Sequence, residues 1–476
     1  MTDSSHYPAT GLIRIVDPAK EPKPLTDIAP DALDDEQRAE AERKAQLRLH
    51  TRMIATGFHD PSKAERWLNA PELQRVSQDA LFAGLRLAPS PDIALPALVR
   101  LIEKHPAVAE RANRGEEEFG MYRLLGASQA IGDFLYRRPE LIDPLFDTQV
   151  YPAESALIRS QHPASILPET DGEFLTPIAP VDTPYRRDIL TALGADPHAE
   201  RPHAAAEQTG KDGYVTLRVA YRAALARIAL LDVCCEDPVE MMPTIGRHLA
   251  DLAAAALEGA LAIARTEVAE GLGPGLAAPR RGEAVDALDL AIIGMGKCGA
   301  RELNYISDVD VVYVVAPVEP APSTGAEGET APLKLTENEC STIGTELVHA
   351  LTRAIMGPAP EPALWEVDAN LRPEGKDGPL VRTVESYVQY YKRWAENWEF
   401  QALLKARPIA GSAQLGARYA RAIDPFVWES AARESFVESV QAMRARVTDN
   451  IPSHQVDRQI KLGPGGLRDI EFTVQL

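Results

Sequence analysis

The sequence predicts an α+β protein that is mostly α-helical, with one small α/β module set between helical regions. Three observations carry this. Hydrophobic residues make up 45% of the 476 residues but aromatics only 6%, and Ala and Leu supply much of the apolar share, which favours helix. Apolar residues recur at helical spacing along most of the chain. Only three short stretches read as strands, and all lie between about 270 and 382.

The chain is too long for one ordinary core and divides into two to four units. Residues 1–36 are rich in Pro, Asp, Ser and Thr and are expected to form a disordered tail. Residues 37–150 form an N-terminal helical region, with helices over Ala39–Thr56, Glu72–Leu87, Ile93–Lys104 and Arg123–Arg137. Prolines between 150 and 185 make 151–216 an irregular linker. Over 217–270 two helices return, Leu217–Asp232 and Thr244–Arg265. In the second, Leu249, Leu252, Ala256, Leu257, Ala260 and Leu261 form one apolar stripe, read as core packing.

The module, 271–382, follows the breaker Gly271–Gly275. Leu288–Gly294 and Asp308–Val315 (DVDVVYVV) read as strands, the second being the strongest such signal in the chain. Ala316–Pro332 looks like a surface insertion. Thr336–Met356 is a helix, with Thr336 and Glu339 at capping-box spacing, and Leu364–Leu371 is strand-like again. Helix resumes over Val384 to about Arg407 and Ala417–Asn450, within a C-terminal helical region at 383–476.

A formal net charge of −20 argues against a duplex-gripping surface, because phosphate contacts need clustered Lys and Arg; no nucleic-acid partner is expected. Cys234, Cys235, Cys298 and Cys340 contain no CxxC pair and read as free thiols. The N-terminus lacks a signal pattern, and no apolar run reaches the ~18 residues of a membrane span. A cytoplasmic protein with no membrane partner is expected.

The chemistry is carried by LAIIGMGKCGARELNYISDVDVVYVV, residues 290–315. Asp308 and Asp310 stand two apart on a predicted strand and so share a face, roughly 6–7 Å apart along it. Carboxylates that close repel unless a cation sits between them, and Mg²⁺ prefers such oxygen ligands together with substrate phosphates. Gly294-Met295-Gly296-Lys297 lies just upstream, where glycines let backbone N–H groups approach a phosphate and a helix start adds partial positive charge. Ser307 precedes the acidic pair. A third acid, Asp368, lies in LWEVDANLR, followed by Arg372 and the Gly-rich turn PEGKDGP. Glu366 and Asn370 share its predicted face as candidate auxiliaries.

Three carboxylates from two strands match two-metal phosphoryl or nucleotidyl transfer, with Arg372 and Lys297 neutralising phosphate charge. Gly294-x-Gly296-x-x-Gly299 also fits a dinucleotide-binding fingerprint. Against it, only about eight residues separate Gly299 from the next strand, too few for a crossover helix, and the acids open that strand rather than close it. No Walker A pattern is present.

The segment GMGKCGARELNYISDVDVV resembles the signature of the glutamine synthetase adenylyltransferase/adenylyl-removing enzyme family, whose nucleotidyltransferase module resembles that of DNA polymerase β. RLLGASQAIGDFLYRRPEL, VDANLRPEGKDGPL, YYKRWAENWEFQALLKARPIAG and IKLGPGGLRDIEFTVQL resemble further stretches in the family's order, covering most of 120–476. Cys298 and Ala300 stand where the family pattern has Leu and Gly.

The resemblance implies a bifunctional enzyme with two tandem modules. One phosphorolytically removes AMP from a glutamine synthetase tyrosine, giving ADP; the other adds AMP from ATP. This chain carries one SDxD motif and ends inside the last recognised stretch, and its GGLRDIEF wording resembles the first half, so the deadenylylating N-terminal half is expected. The implied metal ligands are Asp308, Asp310 and Asp368, with two Mg²⁺ ions. Gly294, Gly296, Lys297, Ser307, Arg372, Lys405 and Arg407 are the implied nucleotide and phosphate contacts, and Lys461 and Arg468 have similar status. Glutamine synthetase, ADP or ATP, phosphate and a PII signalling protein are the implied partners. The alternatives are another nucleotidyltransferase, such as a uridylyltransferase, and a non-catalytic module that binds nucleotide or glutamine synthetase.

Overall fold

A computed structural model describes residues 35–147, 182–271, 281–318 and 333–475. The expected tail up to residue 34, linker residues 151–181, the breaker beyond Gly271 and insertion residues 319–332 lie outside the described residues.

Five strands form one mixed sheet: β1 (Leu288–Gly294), β2 (Val309–Pro317), β3 (Val367–Asp368), β4 (Val381–Arg382) and β5 (Arg407–Gly411). The order is β3-β2-β1-β5, with β4 also paired to β2. β1 runs antiparallel to β2 and β5, whereas β3 and β4 run parallel to β2. The antiparallel β1–β2 pair removes the dinucleotide-binding reading, which needs parallel strands joined by a crossover helix.

β1 and β2 read as nearly unbroken apolar runs because both faces are covered. Leu290, Ile292, Val311, Tyr313 and Val315 point into a core shared with the helices Pro238–Ala269 and Glu337–Met356. Ala291, Ile293, Val312 and Val314 enter a second core, against Val384–Arg393, Asn397–Leu403 and Ala413–Glu429. The N-terminal helices between Asp35 and Phe146 build a third core and pack on Ala226, Ala229 and Leu230 of the helix Gly210–Cys234.

Several expectations change. Residues 384–407 are not one helix: two helices end at Leu403, and β5 follows. Pro408 is tolerated because β5 is an edge strand, and Gly411 ends it at φ +79, where an added Cβ would lie 2.1 Å from the Leu290 carbonyl oxygen. The sheet therefore reaches beyond residue 382. The stretch expected as one helix at Arg123–Arg137 lies in two, Phe119–Ala127 and Gln129–Arg137, because Ser128 is extended and its hydroxyl caps Ile131 N. Within the expected linker, Pro184–Ala192 is a helix capped by Thr183, and it buries Ile189 and Leu190. The strand expected at Leu364–Leu371 shrinks to β3. Thr336 and Glu339 do form a capping box, closing the helix Glu337–Met356 at its start.

The other end of that helix is closed by Arg218, fully buried at 0% exposure. Its guanidinium donates to the carbonyls of Ala354 at 2.9 Å, Gly357 at 2.7 Å and Glu361 at 2.8 Å. A cation there complements the negative end of the helix dipole. It also pins the turn that leads into β3. Arg218→Met should therefore cost about 3 kcal/mol or more in urea unfolding, since several buried carbonyls lose their donor. A loss below about 1 kcal/mol would contradict this account.

Candidate active site

β2 and β3 place three carboxylates together. Asp310 and Asp368 are register partners in the parallel pair, so they stand about one strand spacing apart, ~4.8 Å. Asp308 lies one residue before β2 rather than on it. The three side chains still offer oxygens within 4.8 Å of one another, with Asp308 exposed and the other two half-buried.

Local bonds hold them. Val309 N donates to Glu366 O at 2.9 Å and Met295 N to Asp310 O at 2.8 Å. Asn370 N donates to Asp368 Oδ1 at 2.7 Å, and the Ser307 hydroxyl to Asp308 Oδ1 at 3.3 Å. Asn370 thus serves through its backbone, and the Glu366 side chain is exposed.

Burial, reinforced by repulsion from Asp308 and Asp368, pushes the Asp310 carboxyl up to about 6; Lys461 and Arg468 oppose this. The set fits a hard divalent cation. Around Mg²⁺, at about 2.1 Å per ligand, coordinating oxygens lie about 3.0 to 4.2 Å apart, inside the 4.8 Å that bounds the three carboxylates.

The Gly-rich turn lies against this triad. Gly296 has φ +50, and a Cβ there would meet Asp310 Oδ2 at 2.4 Å; one at Gly299 would meet Lys405 O at 1.9 Å. Glycine at both positions allows the turn to touch β2 and β5's approach. The helix that follows, Gly296–Gly299, is a single turn, so it contributes little dipole to a phosphate.

Arg407, expected to face the pocket, instead lies buried beneath the turn. It donates to Gly299 O at 2.9 Å and Cys298 O at 3.3 Å. Arg372 is likewise turned to backbone, donating to Ala369 O at 2.7 Å and Gly378 O at 3.2 Å, and it shapes the turn after β3. Lys405 sits between Glu302 and Glu471, 2.5 Å from each. Lys297 donates to Asn304 Oδ1 at 3.1 Å.

Two anchors escaped the sequence reading. Arg301, in left-handed backbone at φ 57, donates to Asp251 at 3.0 and 2.5 Å. Asp251 is 2% exposed, on the long helix Pro238–Ala269. An acid set within that helix's apolar stripe was the available signal. Tyr305 OH donates to Asp232 Oδ2 at 2.8 Å, tying the same loop to the helix Gly210–Cys234.

The glutamate-ammonia ligase adenylyltransferase family matches residues 190–422, which span β1 to β5 and the triad. Over these residues the chain is similar to that family. Residues 441–476 match the GlnD PII-uridylyltransferase family. A bifunctional glutamine synthetase adenylyltransferase/adenylyl-removing enzyme of Leifsonia xyli subsp. xyli is 44% identical over 400 residues, 84% of this chain and 35% of that protein. The protein of that name from Streptomyces coelicolor is 42% identical over 434 residues, 90% of this chain and 36% of that protein. The chain spans about a third of the length of these relatives. The α+β, mostly helical fold with its small mixed sheet is consistent with a nucleotidyltransferase module. Among the described residues no helix is long and apolar enough to cross a membrane.

Two outcomes follow for the candidate metal site. Gly296→Ala should displace the Asp310 carboxylate and lower Mn²⁺ affinity at least about tenfold, while strain at positive φ costs only ~1–3 kcal/mol in unfolding; unchanged affinity would count against the turn's role. A proton on Asp310 competes with the cation. Affinity should therefore be about tenfold lower at pH 5 than at pH 7.5, and Asp310→Asn should flatten that profile. In the metal-free chain the sign is set by the same shift. Asp310 keeps its proton to about pH 6 when folded but only to about 3.8 when unfolded, so its contribution to stability is full below pH 3.8 and lost as pH rises through 6.

Proposed function

We propose that this chain removes AMP phosphorolytically from an adenylylated tyrosine of glutamine synthetase, giving tyrosine and ADP. It does so as the N-terminal half of a bifunctional enzyme whose other half adds AMP. The observation that carries the reading is the cluster of Asp308, Asp310 and Asp368, whose oxygens lie within 4.8 Å of one another, with Asp310 and Asp368 paired by the β2–β3 register. The relatives' names contain both activities, and the GGLRDIEF wording favours the removing half.

The three aspartates would hold two Mg²⁺ ions. Bound there, magnesium would supply charge neutralisation on the α-phosphate and Lewis-acid support for the attacking and leaving oxygens. The chain's own residues do the rest. The Gly294–Lys297 turn packs directly against the Asp310 carboxylate and holds it in place, because only glycine fits at position 296. Ser307 orients Asp308, and the Asn370 amide orients Asp368. Arg407, Arg301 and Arg372 act from outside the ligand space, fixing the loops that carry these groups. A cytoplasmic setting and regulation by a PII protein accompany the reading through resemblance alone.

A second reading, uridylyl transfer to a PII-type protein, is favoured by the match at 441–476. One set of assays separates the two. The chain is mixed with adenylylated glutamine synthetase, Mg²⁺ and phosphate, and ADP is followed. Phosphate-dependent ADP, reduced at least about 10²-fold in Asp308→Asn, is the expected outcome. AMP transfer from ATP to the unmodified synthetase would reverse the direction, and UMP transfer from UTP to a PII protein would establish the second reading.

A further inference from the structure

In a chain of net charge −20, four cations gather about the Gly-rich turn that lies against Asp310. Lys297 is in the turn, Lys405 O lies against its Gly299, and Glu471 and the Arg468–Lys461 backbone bond tie Arg468 and Lys461 to Lys405. Lys405 and Arg468 lie 2.5 and 3.3 Å from the Glu471 carboxylate. Lys297 also acts on Glu471, and Lys461 and Arg468 act on Asp310. The segment bearing Lys461 and Arg468 is tightly built. Arg468 N donates to Lys461 O at 3.0 Å and Leu467 N to Ile460 O at 2.9 Å, which sets the two basic residues side by side. Asp469 Oδ2 accepts from Gly465 N at 2.6 Å, and Arg444 pairs with Asp469 and donates to Gly463 O at 3.0 Å. Glu471 then fastens the helix Leu467–Gln475 to Lys405.

The four cations are not equivalent. Lys405 is neutralised by two carboxylates and Lys297 is held by Asn304. Arg468 uses one Nη atom on Glu471. The Lys461 ammonium is exposed and makes no hydrogen bond or ion pair among the described residues. Two donors therefore remain beside a triad whose own charge a metal would cancel.

We propose that Lys461 and Arg468 form a subsite for a phosphate dianion next to the triad. The inference rests on the phosphorolytic reading and says where its second substrate sits. An oxygen of inorganic phosphate bonds to the α-phosphorus, the bond from that phosphorus to the tyrosine oxygen breaks, and the phosphate's proton ends on the tyrosine. The attacking group becomes the β-phosphate of ADP, so one subsite serves substrate and product. AMP, with no β-phosphate, does not reach it.

The test is calorimetric binding of ADP, AMP and inorganic phosphate to the full chain with Mg²⁺. The double variant Lys461→Met, Arg468→Gln should lose about 10- to 100-fold in affinity for ADP and for phosphate, and under threefold for AMP. Arg468→Lys should recover part of the loss. Equal losses for ADP and AMP would mean a disturbed fold and would overturn the subsite, as would no loss at all. A loss for ADP but none for phosphate would overturn the role in attack. If the unaltered chain binds AMP but gains nothing from the β-phosphate, the subsite fails and nucleotide chemistry survives. If it binds no nucleotide, both fail.

Discussion

Three carboxylates held within 4.8 Å of one another repel, and the rest of the fold bears on that repulsion. No local sequence preference would keep Asp310 opposite Asp368. The parallel β2–β3 register does so, and that register spans two residues on β3. So short a ladder needs outside support. It comes from the two cores that cover β1 and β2, and from Arg218, which fixes the end of the helix preceding β3. The raised pKa of Asp310 reflects first its burial and then the neighbouring Asp308 and Asp368 charges, both imposed by the packed scaffold.

Buried ions under the site perform a related task. Asp251 and Glu258 lie seven residues apart on one long helix. Asp251 grips Arg301 in the loop ahead of β2, and Glu258 accepts from Gly411 N, at the end of β5, at 2.6 Å. Arg407 holds the Gly-rich turn from below. Leaving any one of these groups unpaired would be costly, because a buried charge without its partner keeps its desolvation penalty. They fix the loop geometry without touching the ligand space.

The site's charge balance comes from a distant part of the chain. Lys461, Arg468 and Glu471 arrive about 150 residues after Asp310, on a segment docked through Lys405. An acidic protein can thus offer local positive charge beside a cluster of three carboxylates, which bulk composition does not reveal.

Much of the local structure was legible. The β-branched and apolar run at Leu288–Gly294 and the capping box at Thr336 depend on neighbours in sequence, and both elements form where expected. The acids at 308, 310 and 368 stood out because DxD spacing on a strand has a defined geometry, and the structure brings them together. Other features were beyond reach. β5 is five residues with an internal proline, and only pairing with β1 makes it a strand. Arg407 and Arg372 look like phosphate ligands as free cations, yet in the fold backbone carbonyls take them first. The sequence by itself determined β1, β2, the capped helix Glu337–Met356 and the acidic character of the triad, because periodicity and spacing are short-range properties. Tertiary structure alone decided which charges face the ligand and which lie beneath it, because burial and partners are settled by residues far apart in the chain.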